Sequence, residues 1–298
     1  NQTLCVAAFF TEKQDFCQGN SIQFFDASYN GASGWNWIFP GGSPSSSSSQ
    51  NPTVTYQNSG EYDVTLQVND AFGNVQTKTM SNYINILPNN GKNTPIQEDF
   101  ETVSSIPNLD WLVVNGAGPG FQITSSAASS GNKSVKLDNS IGSDSQIDEL
   151  ISSTINLSNL SDVTLSFKYA FAKKTNLNSD MLQVLASFDC GENWLVRKSI
   201  GSSQIATMSN TSSSIYPSGS DWKTITINTF SSAFLVDDFR FKFKFENGGG
   251  NDLFIDDINI SGPLSTNSNE IINDFDVFPN PAFSKLNISF SLAKPINN

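Results

Sequence analysis

Histidine is absent from this sequence of 298 residues, and charged side chains make up only 15% of it. Imidazole is the commonest general base and a frequent zinc ligand, so its absence argues against catalytic triads and typical zinc sites. The sequence also has no Gly-rich phosphate loop, no HExxH motif and no GxSxG motif. Glycosidases need only two carboxylates, so that class of enzyme is disfavoured rather than excluded.

Positive charge and long apolar runs are also scarce. The 28 acidic and 16 basic residues give a net charge of −12, which repels phosphate backbones and anionic membranes, so no nucleic-acid partner is expected. No apolar run reaches the roughly 18 residues of a transmembrane helix, so no transmembrane segment is expected. Asn1 opens no stretch of signal-peptide type, and we therefore interpret the chain as a mature product or a fragment.

Only three cysteines are present. Cys5 and Cys17 lie twelve positions apart, and in an extracellular chain we expect them to form a disulfide. Cys190 is distant in sequence from both, and we expect it to be a free, partly buried thiol.

Alternating runs rich in β-branched and aromatic residues recur along the chain, separated by Gly, Asn, Ser and Pro clusters. This pattern is typical of β-sandwiches and predicts an all-β fold. The clearest runs are Ser21–Phe25, Tyr62–Val68, Val163–Tyr169, Met181–Ser187, Trp222–Ile227, Phe239–Phe245 and Phe254–Ile260. In residues 240–245 Phe alternates with Arg or Lys, which predicts one buried face with the cations opposite.

Two polar breaks that contain proline divide the chain, one over residues 87–95 and one over 261–269. Such composition is typical of linkers. The sequence therefore predicts three parts, which are residues 1–88, 94–262 and 263–298.

The first part carries a tryptophan-rich strand, Trp35-x-Trp37-x-Phe39, followed by N-P-x-V-x-Y at 51–56 and G-x-Y-x-V-T-L-x-V at 60–68. This order resembles the PKD domain, an immunoglobulin-like β-sandwich, and the resemblance implies a spacer or binding module. The F-G-D-G often found in the family reads F-P-G-G here, which weakens any metal site at that turn. We expect the three aromatic side chains to lie in the core, and the alternative is a platform on which a glycan stacks.

The second part opens with D-F-E at 99–101 and closes with F-I-D-D-I-x-I at 254–260. These ends resemble those of MAM-like and carbohydrate-binding-module jelly rolls, in which the first and last strands lie close together. The resemblance implies a structural Ca²⁺ held by acidic residues from both ends and by the loop near 131–134, because Ca²⁺ takes six to eight oxygen ligands.

The predicted calcium ligands are Glu101 and Asp256, with Asp99 and Asp257 as secondary candidates. Asp256 shares strand parity with Phe254 and so points towards the core, which is costly for a carboxylate unless it binds a metal or accepts hydrogen bonds. The alternative is that these residues are ordinary carboxylates at the edge of the sandwich.

Residues 187–194 match the S-x-D-x-G-x-x-W pattern known as the Asp box, through Ser187, Asp189, Gly191 and Trp194. The pattern predicts a tight hairpin in which Asp189 caps turn amides, Gly191 takes a positive φ and Trp194 packs back on the turn. The motif recurs in sialidases away from their catalytic site, so we interpret it as structural and infer no sialidase activity.

The tail contains F-x-V-F-P-N-P followed by L-x-I, with Phe278, Pro279, Asn280 and Pro281 at its centre. This segment resembles the start of the type A C-terminal sorting domain of the type IX secretion system of Bacteroidota. The resemblance implies export by that machinery and a secreted or outer-membrane-attached product. The family domain is longer than the residues that remain here, so the domain is expected to be partial.

Together these features predict a non-catalytic accessory region that follows a hydrolase domain, with a metalloprotease as the expected parent. The jelly roll would take a glycan or a protein ligand. The alternative is a stand-alone adhesin or glycan-binding surface protein. An enzyme within residues 94–262 would need two carboxylates in one cleft, one with a raised pKa, and the sequence indicates no such pair.

Overall fold

A computed structural model describes residues 5–70, 72–116, 118–139 and 145–265, together with the backbone of 272–278 and 287–292. These residues form strands and connecting loops, and the short 3-10 turns among them include Gly219–Asp221 and Ser232–Phe234. The predicted all-β class is confirmed. Within the same residues no helix has the length and apolar character needed to span a membrane.

The first domain is an immunoglobulin-like β-sandwich. Its strands are β1 (Phe9–Phe10), β2 (Asp15–Cys17), β3 (Ser21–Gln23), β4 (Phe25–Asp26), β5 (Ala32–Ile38), β6 (Gly42–Ser43), β7 (Ser46–Ser47), β8 (Thr53–Tyr56), β9 (Gly60–Asp70) and β10 (Val75–Leu87). A five-stranded sheet in the order β2-β10-β9-β5-β7 faces a three-stranded sheet in the order β3-β8-β6, and β1 pairs with β4. Strand β2 runs parallel to β10 at the edge of the larger sheet.

Aromatic rings fill the interior of this sandwich. Trp37 and Phe39 are fully buried with ring centroids 5.6 Å apart, and Phe9 meets Trp37 edge-on at 5.3 Å. Trp35 is partly buried and donates from Nε1 to Asp26 Oδ2 at 2.8 Å. Since these indoles pack or hydrogen-bond inside the domain, the structure supports the core interpretation over an exposed glycan platform.

The second domain is a jelly-roll β-sandwich. Its strands are β11 (Lys92–Asn93), β12 (Ile96–Glu98), β13 (Trp111–Val114), β14 (Phe121–Thr124), β15 (Ser134–Leu137), β16 (Ile147–Ser152), β17 (Ile155–Asn156), β18 (Thr164–Phe171), β19 (Met181–Ser187), β20 (Leu195–Ile200), β21 (Lys223–Ile227), β22 (Arg240–Glu246) and β23 (Leu253–Ser261). One sheet has the order β14-β15-β23-β18-β21, with β12 also on β23, and the other has the order β13-β16-β22-β19-β20.

In strand β22, aromatic residues alternate with cationic residues, and the aromatic side chains are buried. Phe241, Phe243 and Phe245 point into the core of the jelly roll, as the period of two predicts. The cations lie on the opposite face, but Arg240 is 0% exposed and Lys242 is 9% exposed. This outer face is therefore covered as well. Arg240 lies against Gly191 and Trp194 of its own domain and against Asp15 of the first domain.

The chain passes from the first sandwich to the second over residues 88–91. Thr154 Oγ1 donates to the Pro88 carbonyl at 2.8 Å, and Gly91 N donates to the Asp237 carbonyl at 2.8 Å. Because both ends of the connection are hydrogen-bonded to the second domain, the two sandwiches follow each other without a free linker among the described residues.

In the tail, β24 (Ile272–Phe278) pairs antiparallel with β25 (Asn287–Leu292). Phe278 is the last residue of β24, whereas Pro279, Asn280 and Pro281 lie outside the described residues. The sorting domain therefore stays a prediction.

Candidate functional site

A disulfide joins the two sandwiches. It links Cys17, at the end of β2, to Cys190, in the hairpin after β19, across 173 residues with a Cα–Cα distance of 6.1 Å. The expected Cys5–Cys17 bridge and the free Cys190 are thus corrected, because Cys5 is a free thiol with 1% exposure in the core of the first domain. Cys17 instead lies at a sheet edge that faces the second domain.

Arg240 is the second connection at this junction. Its fully buried side chain donates from Nε to the Ser152 carbonyl at 3.0 Å and from Nη1 to the Cys190 carbonyl at 3.1 Å. Nη1 also lies 2.5 Å from Asp15 Oδ2 on β2. A buried guanidinium needs such partners, since an unpaired buried charge is strongly unfavourable. Arg240 therefore ties two elements of the jelly roll to the edge strand of the first domain.

The Asp box forms the hairpin that carries Cys190. Ser187 Oγ donates to Asp189 Oδ1 at 2.7 Å, and Asp189 Oδ1 accepts the Asn193 N–H at 2.9 Å. Gly191 has a φ of +87°, and a Cβ there would lie 2.6 Å from Arg240 Nη1 and 3.0 Å from Trp194 Cζ2. Only glycine fits this turn, because it combines a left-handed backbone with no side chain.

Hydrogen bonds also keep the Asp box charged. Burial works to raise the pKa of Asp189, but hydrogen bonds from Asn193 and Ser187 outweigh it and hold the pKa below its usual value. The ionised carboxylate can then accept from the turn amides at neutral pH, which stabilises the hairpin.

The same hairpin contacts the first domain through polar groups. Glu192 Oε1 accepts from Lys13 Nζ at 2.7 Å and from Asn20 Nδ2 at 3.3 Å. The hairpin motif was visible in the sequence, but its contact with another domain was not, because no local pattern encodes a partner so distant along the chain. The Asp box here presents both a cysteine and an acidic residue to the first sandwich.

Glu101 anchors the loop that follows β14. Its Oε1 accepts the N–H groups of Asn132 at 2.7 Å and Lys133 at 2.6 Å, and these bonds lower the pKa of the carboxyl group. Gly131 has a φ of +61°, and a Cβ there would lie 2.4 Å from Glu101 Oε1. The glycine is therefore required for this close approach.

Asp256 anchors the same loop from the last strand. It is 0% exposed, and its Oδ2 accepts the N–H groups of Ser129 at 2.7 Å and Ser130 at 3.2 Å. Burial outweighs these bonds and raises the pKa of Asp256 to about 6. The neighbouring Asp257 accepts from the Ser129 and Ser130 hydroxyls and from Lys168 Nζ at 2.9 Å.

The predicted calcium ligands thus meet at one loop, but their oxygens face hydrogen-bond donors. Asp99 Oδ1 is used as well, because it accepts the Glu101 N–H at 3.1 Å. Among the described residues no group of three or more His, Cys, Asp or Glu side chains is placed to hold a metal ion. As arranged, these residues do not fit a calcium cage, since Ca²⁺ needs oxygens where amide and ammonium groups now lie. Calcium binding stays a prediction.

Residues 6–86 match the family model of the PKD domain, which agrees with the immunoglobulin-like sandwich and its tryptophan strand. The first domain is therefore a PKD domain. No curated protein is significantly similar to the chain.

Three solved structures illustrate what the two sandwiches are similar to. The K1 cleaved adhesin domain of Lys-gingipain from Porphyromonas gingivalis W83 is 18% identical, with 57% of this chain and 98% of that chain covered and a TM-score of 0.42. A carbohydrate-binding module in complex with β-1,4-galactotriose is 17% identical, with 55% and 94% covered and a TM-score of 0.37. The PKD1 domain of the Vibrio cholerae metalloprotease PrtV is 26% identical, with 28% and 99% covered and a TM-score of 0.24. These overlaps are too loose to assign a function.

Proposed function

We propose that this chain is a non-catalytic accessory region of a secreted or cell-surface protein. The PKD domain acts as a rigid spacer, and the jelly roll acts as a binding module for a glycan. The observation that carries the proposal is the junction, where the Cys17–Cys190 disulfide and the Arg240–Asp15 ion pair fix one sandwich on the other. A spacer that holds its neighbour at a fixed angle suits the presentation of a binding module rather than a catalytic role.

The disulfide also supports the extracellular location. Disulfides persist in secreted and surface proteins and are reduced in most cytosols. The bridge closes a loop of 173 residues and joins two domains, so a reducing compartment would leave the junction to non-covalent contacts alone.

For the glycan site we propose Tyr216 as an aromatic platform. It lies in the connection between β20 and β21 and is 70% exposed, which is unusual for a large ring and suits stacking against a sugar face. The first domain offers a matched control in Tyr29, which is 56% exposed.

A glycan array probed with the full chain tests this site. We expect the wild type and Tyr29→Ala to bind the same glycans and Tyr216→Ala to lose them. If the wild type binds no glycan on the array, the glycan proposal is wrong. If Tyr216→Ala binds as tightly as the wild type, Tyr216 is not part of the glycan site.

The wider setting is part of the same proposal. Residues 270–298 would be the start of a type IX sorting domain, and a hydrolase domain, with a metalloprotease as the first candidate, would precede Asn1. The rigid pair of sandwiches would serve a stand-alone adhesin equally well. An upstream HExxH-containing domain in the gene supports the first setting, and further β repeats support the second.

We also propose that Glu101 and Asp256 bind calcium after a rearrangement of the loop that they anchor. Binding would require the loop at 129–133 to turn its amides away from the two carboxylates. Thermal melts with calcium and then with a chelator test this proposal, because a bound ion stabilises the folded state. An unchanged melting temperature would contradict calcium binding.

A further inference from the structure

A groove lies where the two sandwiches meet, beside the disulfide. It has a volume of about 500 Å³ and is lined from the first domain by residues including Glu12, Asp15, Glu61 and Asn85. Val113 and Val114 on β13 line it from the second domain. Because its walls come from different domains, the groove exists only while the junction holds them together.

Two sheet edges border this groove. Among the described residues β13 is the outermost strand of its sheet, and β2 is the outermost strand of the large sheet in the PKD domain. An edge strand presents backbone N–H and C=O groups that have no partner within the sheet, and such a row is a template for another extended chain.

The direction of these groups on β13 follows from Trp111. Its N–H donates to Asn108 Oδ1 at 2.9 Å, and its carbonyl accepts the Asn108 N–H at 2.9 Å, so both groups point away from the neighbouring strand β16. Backbone direction in an antiparallel strand repeats every second residue. The N–H and C=O of Val113 therefore point to the same open edge, and no described residue hydrogen-bonds to them.

The wall of the groove contains an unsatisfied amide. Asn85 is 8% exposed, and its buried Oδ1 has no hydrogen-bond partner. The described residues offer no partner to the rest of this side-chain amide either. Buried polar groups are almost always paired, and a free amide matches the donor and acceptor of a peptide group.

The charges that line the groove determine whether it favours a cationic or an anionic ligand. Asp15 is neutralised by Arg240 and Lys13 by Glu192. Glu12 and Glu61 are exposed and form no ion pair with any residue in the described part of the chain. The groove is therefore negative, in a chain whose net charge is −12, and it complements a cationic ligand.

We propose that this interdomain groove binds an extended polypeptide segment rich in lysine or arginine, which adds as a strand to the open edge of β13. Main-chain bonds at Val113 would supply affinity, and the carboxylates of Glu12 and Glu61 would select basic side chains. This function is independent of glycan binding by the jelly roll.

Fluorescence anisotropy with the full chain tests the proposal. The probe is a labelled peptide of about nine residues that alternates Lys and Thr, long enough to span one strand. Two comparison peptides are used. One replaces each Lys by Glu, and the other carries N-methyl groups on alternate backbone amides, which removes their N–H donors. We expect the lysine peptide to bind at least about tenfold more tightly than either counterpart, with weaker binding as salt rises. Equal affinity for the lysine and glutamate peptides would overturn the charge assignment.

Two variants locate the site. Val113→Pro removes the outward N–H and fixes φ, which an edge strand tolerates, and should weaken binding about tenfold. Val113→Ala also shortens the side chain but keeps the N–H, and it should weaken binding less. Glu12→Gln combined with Glu61→Gln should weaken binding, and Asp162→Asn combined with Asp237→Asn is the matched loss of two exposed charges outside the groove. A thermal melt of each variant checks folding. If no peptide distinguishes the wild type from a folded Val113→Pro variant, or if no peptide binds, the proposal is wrong.

Discussion

The interior of each sandwich and the junction between them are held by different kinds of contact. Trp37 and Phe39 in the PKD domain, and Phe243 in the jelly roll, are packed among other apolar side chains. Among the described residues the junction has a small apolar cluster, with Cys17, Leu87 and Cys190 buried against Leu112. The disulfide and the ion pairs Arg240–Asp15 and Lys13–Glu192 add to it. Apolar burial is non-directional and suffices to fold a sandwich. Where the apolar interface between two domains is small, covalent and directional contacts can fix the angle between them instead.

Trp37→Ala should have the largest effect, because it removes a fully buried ring that touches Phe9, Phe24 and Phe39. A loss of about 3–5 kcal/mol in the free energy of unfolding is expected for such a substitution. Trp35→Ala is the control, since Trp35 is only partly buried and should cost less. Urea unfolding followed by circular dichroism measures both, and equal losses would contradict the described core.

Arg240→Met should come next. It leaves Asp15 without its buried partner, and breaking such a pair costs about 3 kcal/mol. The double variant Arg240→Met with Asp15→Asn should recover part of this loss, because no carboxylate is then left unpaired. A double-mutant cycle in urea measures the coupling, and strictly additive losses would mean that the two side chains do not interact.

The Cys17→Ser and Cys190→Ser double variant should cost about 2–4 kcal/mol, the usual range for a disulfide. Unlike Trp37→Ala, it should leave each sandwich folded and loosen their relative orientation. Small-angle scattering should then give a broader distribution of dimensions than for the wild type. Cys5→Ala is the control, because it removes a cysteine and leaves the bridge in place; a similar broadening there would contradict the assigned pairing.

Asp256 should produce the smallest effect, and it should depend on pH. Its pKa is about 6 in the folded protein and near 4 in an unfolded chain, so the folded state binds the extra proton between these values. Stability should therefore rise as pH falls from 7 to 4, by roughly 2 kcal/mol from this group. Asp256→Asn should flatten that slope.

The pH experiment also separates Asp256 from Glu101, which anchors the same loop. Glu101, whose pKa is lowered, contributes stability that is lost as pH falls, so the difference between the wild type and Asp256→Asn isolates Asp256. Melting temperatures across this range measure it. A wild-type slope that survives Asp256→Asn would assign the titration to another group.

Local sequence patterns correctly predicted the features that depend on neighbouring residues, namely strand alternation and the Asp-box hairpin. Alternation in 240–245 placed Phe241 and Phe243 in the core, because side chains in a strand alternate between faces. The Asp-box pattern predicted a hairpin whose hydrogen bonds, Ser187 to Asp189 and Asp189 to Asn193, lie within seven residues of each other. The D-F-E and F-I-D-D-I ends were expected to meet, and Glu101 and Asp256 do anchor one loop.

The features that sequence reasoning missed depend on residues far apart in the chain. Alternation in the sequence predicts that Arg240 is exposed, but the Asp-box hairpin and Asp15 of the PKD domain bury it. Cys5 and Cys17 are close in sequence, yet Cys5 enters an apolar core while Cys17 ends an edge strand beside Cys190. The sequence of one domain does not indicate which of its surfaces contacts the other domain. The Cys17–Cys190 bridge and the burial of Arg240 were therefore not predictable from local sequence patterns.

A tryptic peptide map under non-reducing conditions tests the Cys17–Cys190 bridge most directly. Cleavage after Lys and Arg places Cys5, Cys17 and Cys190 in separate peptides, residues 1–13, 14–78 and 175–197. We predict that mass spectrometry finds 14–78 linked to 175–197, with 1–13 carrying a free thiol. A link between 1–13 and 14–78, with 175–197 free, would contradict the covalent junction on which the rigid two-domain unit depends.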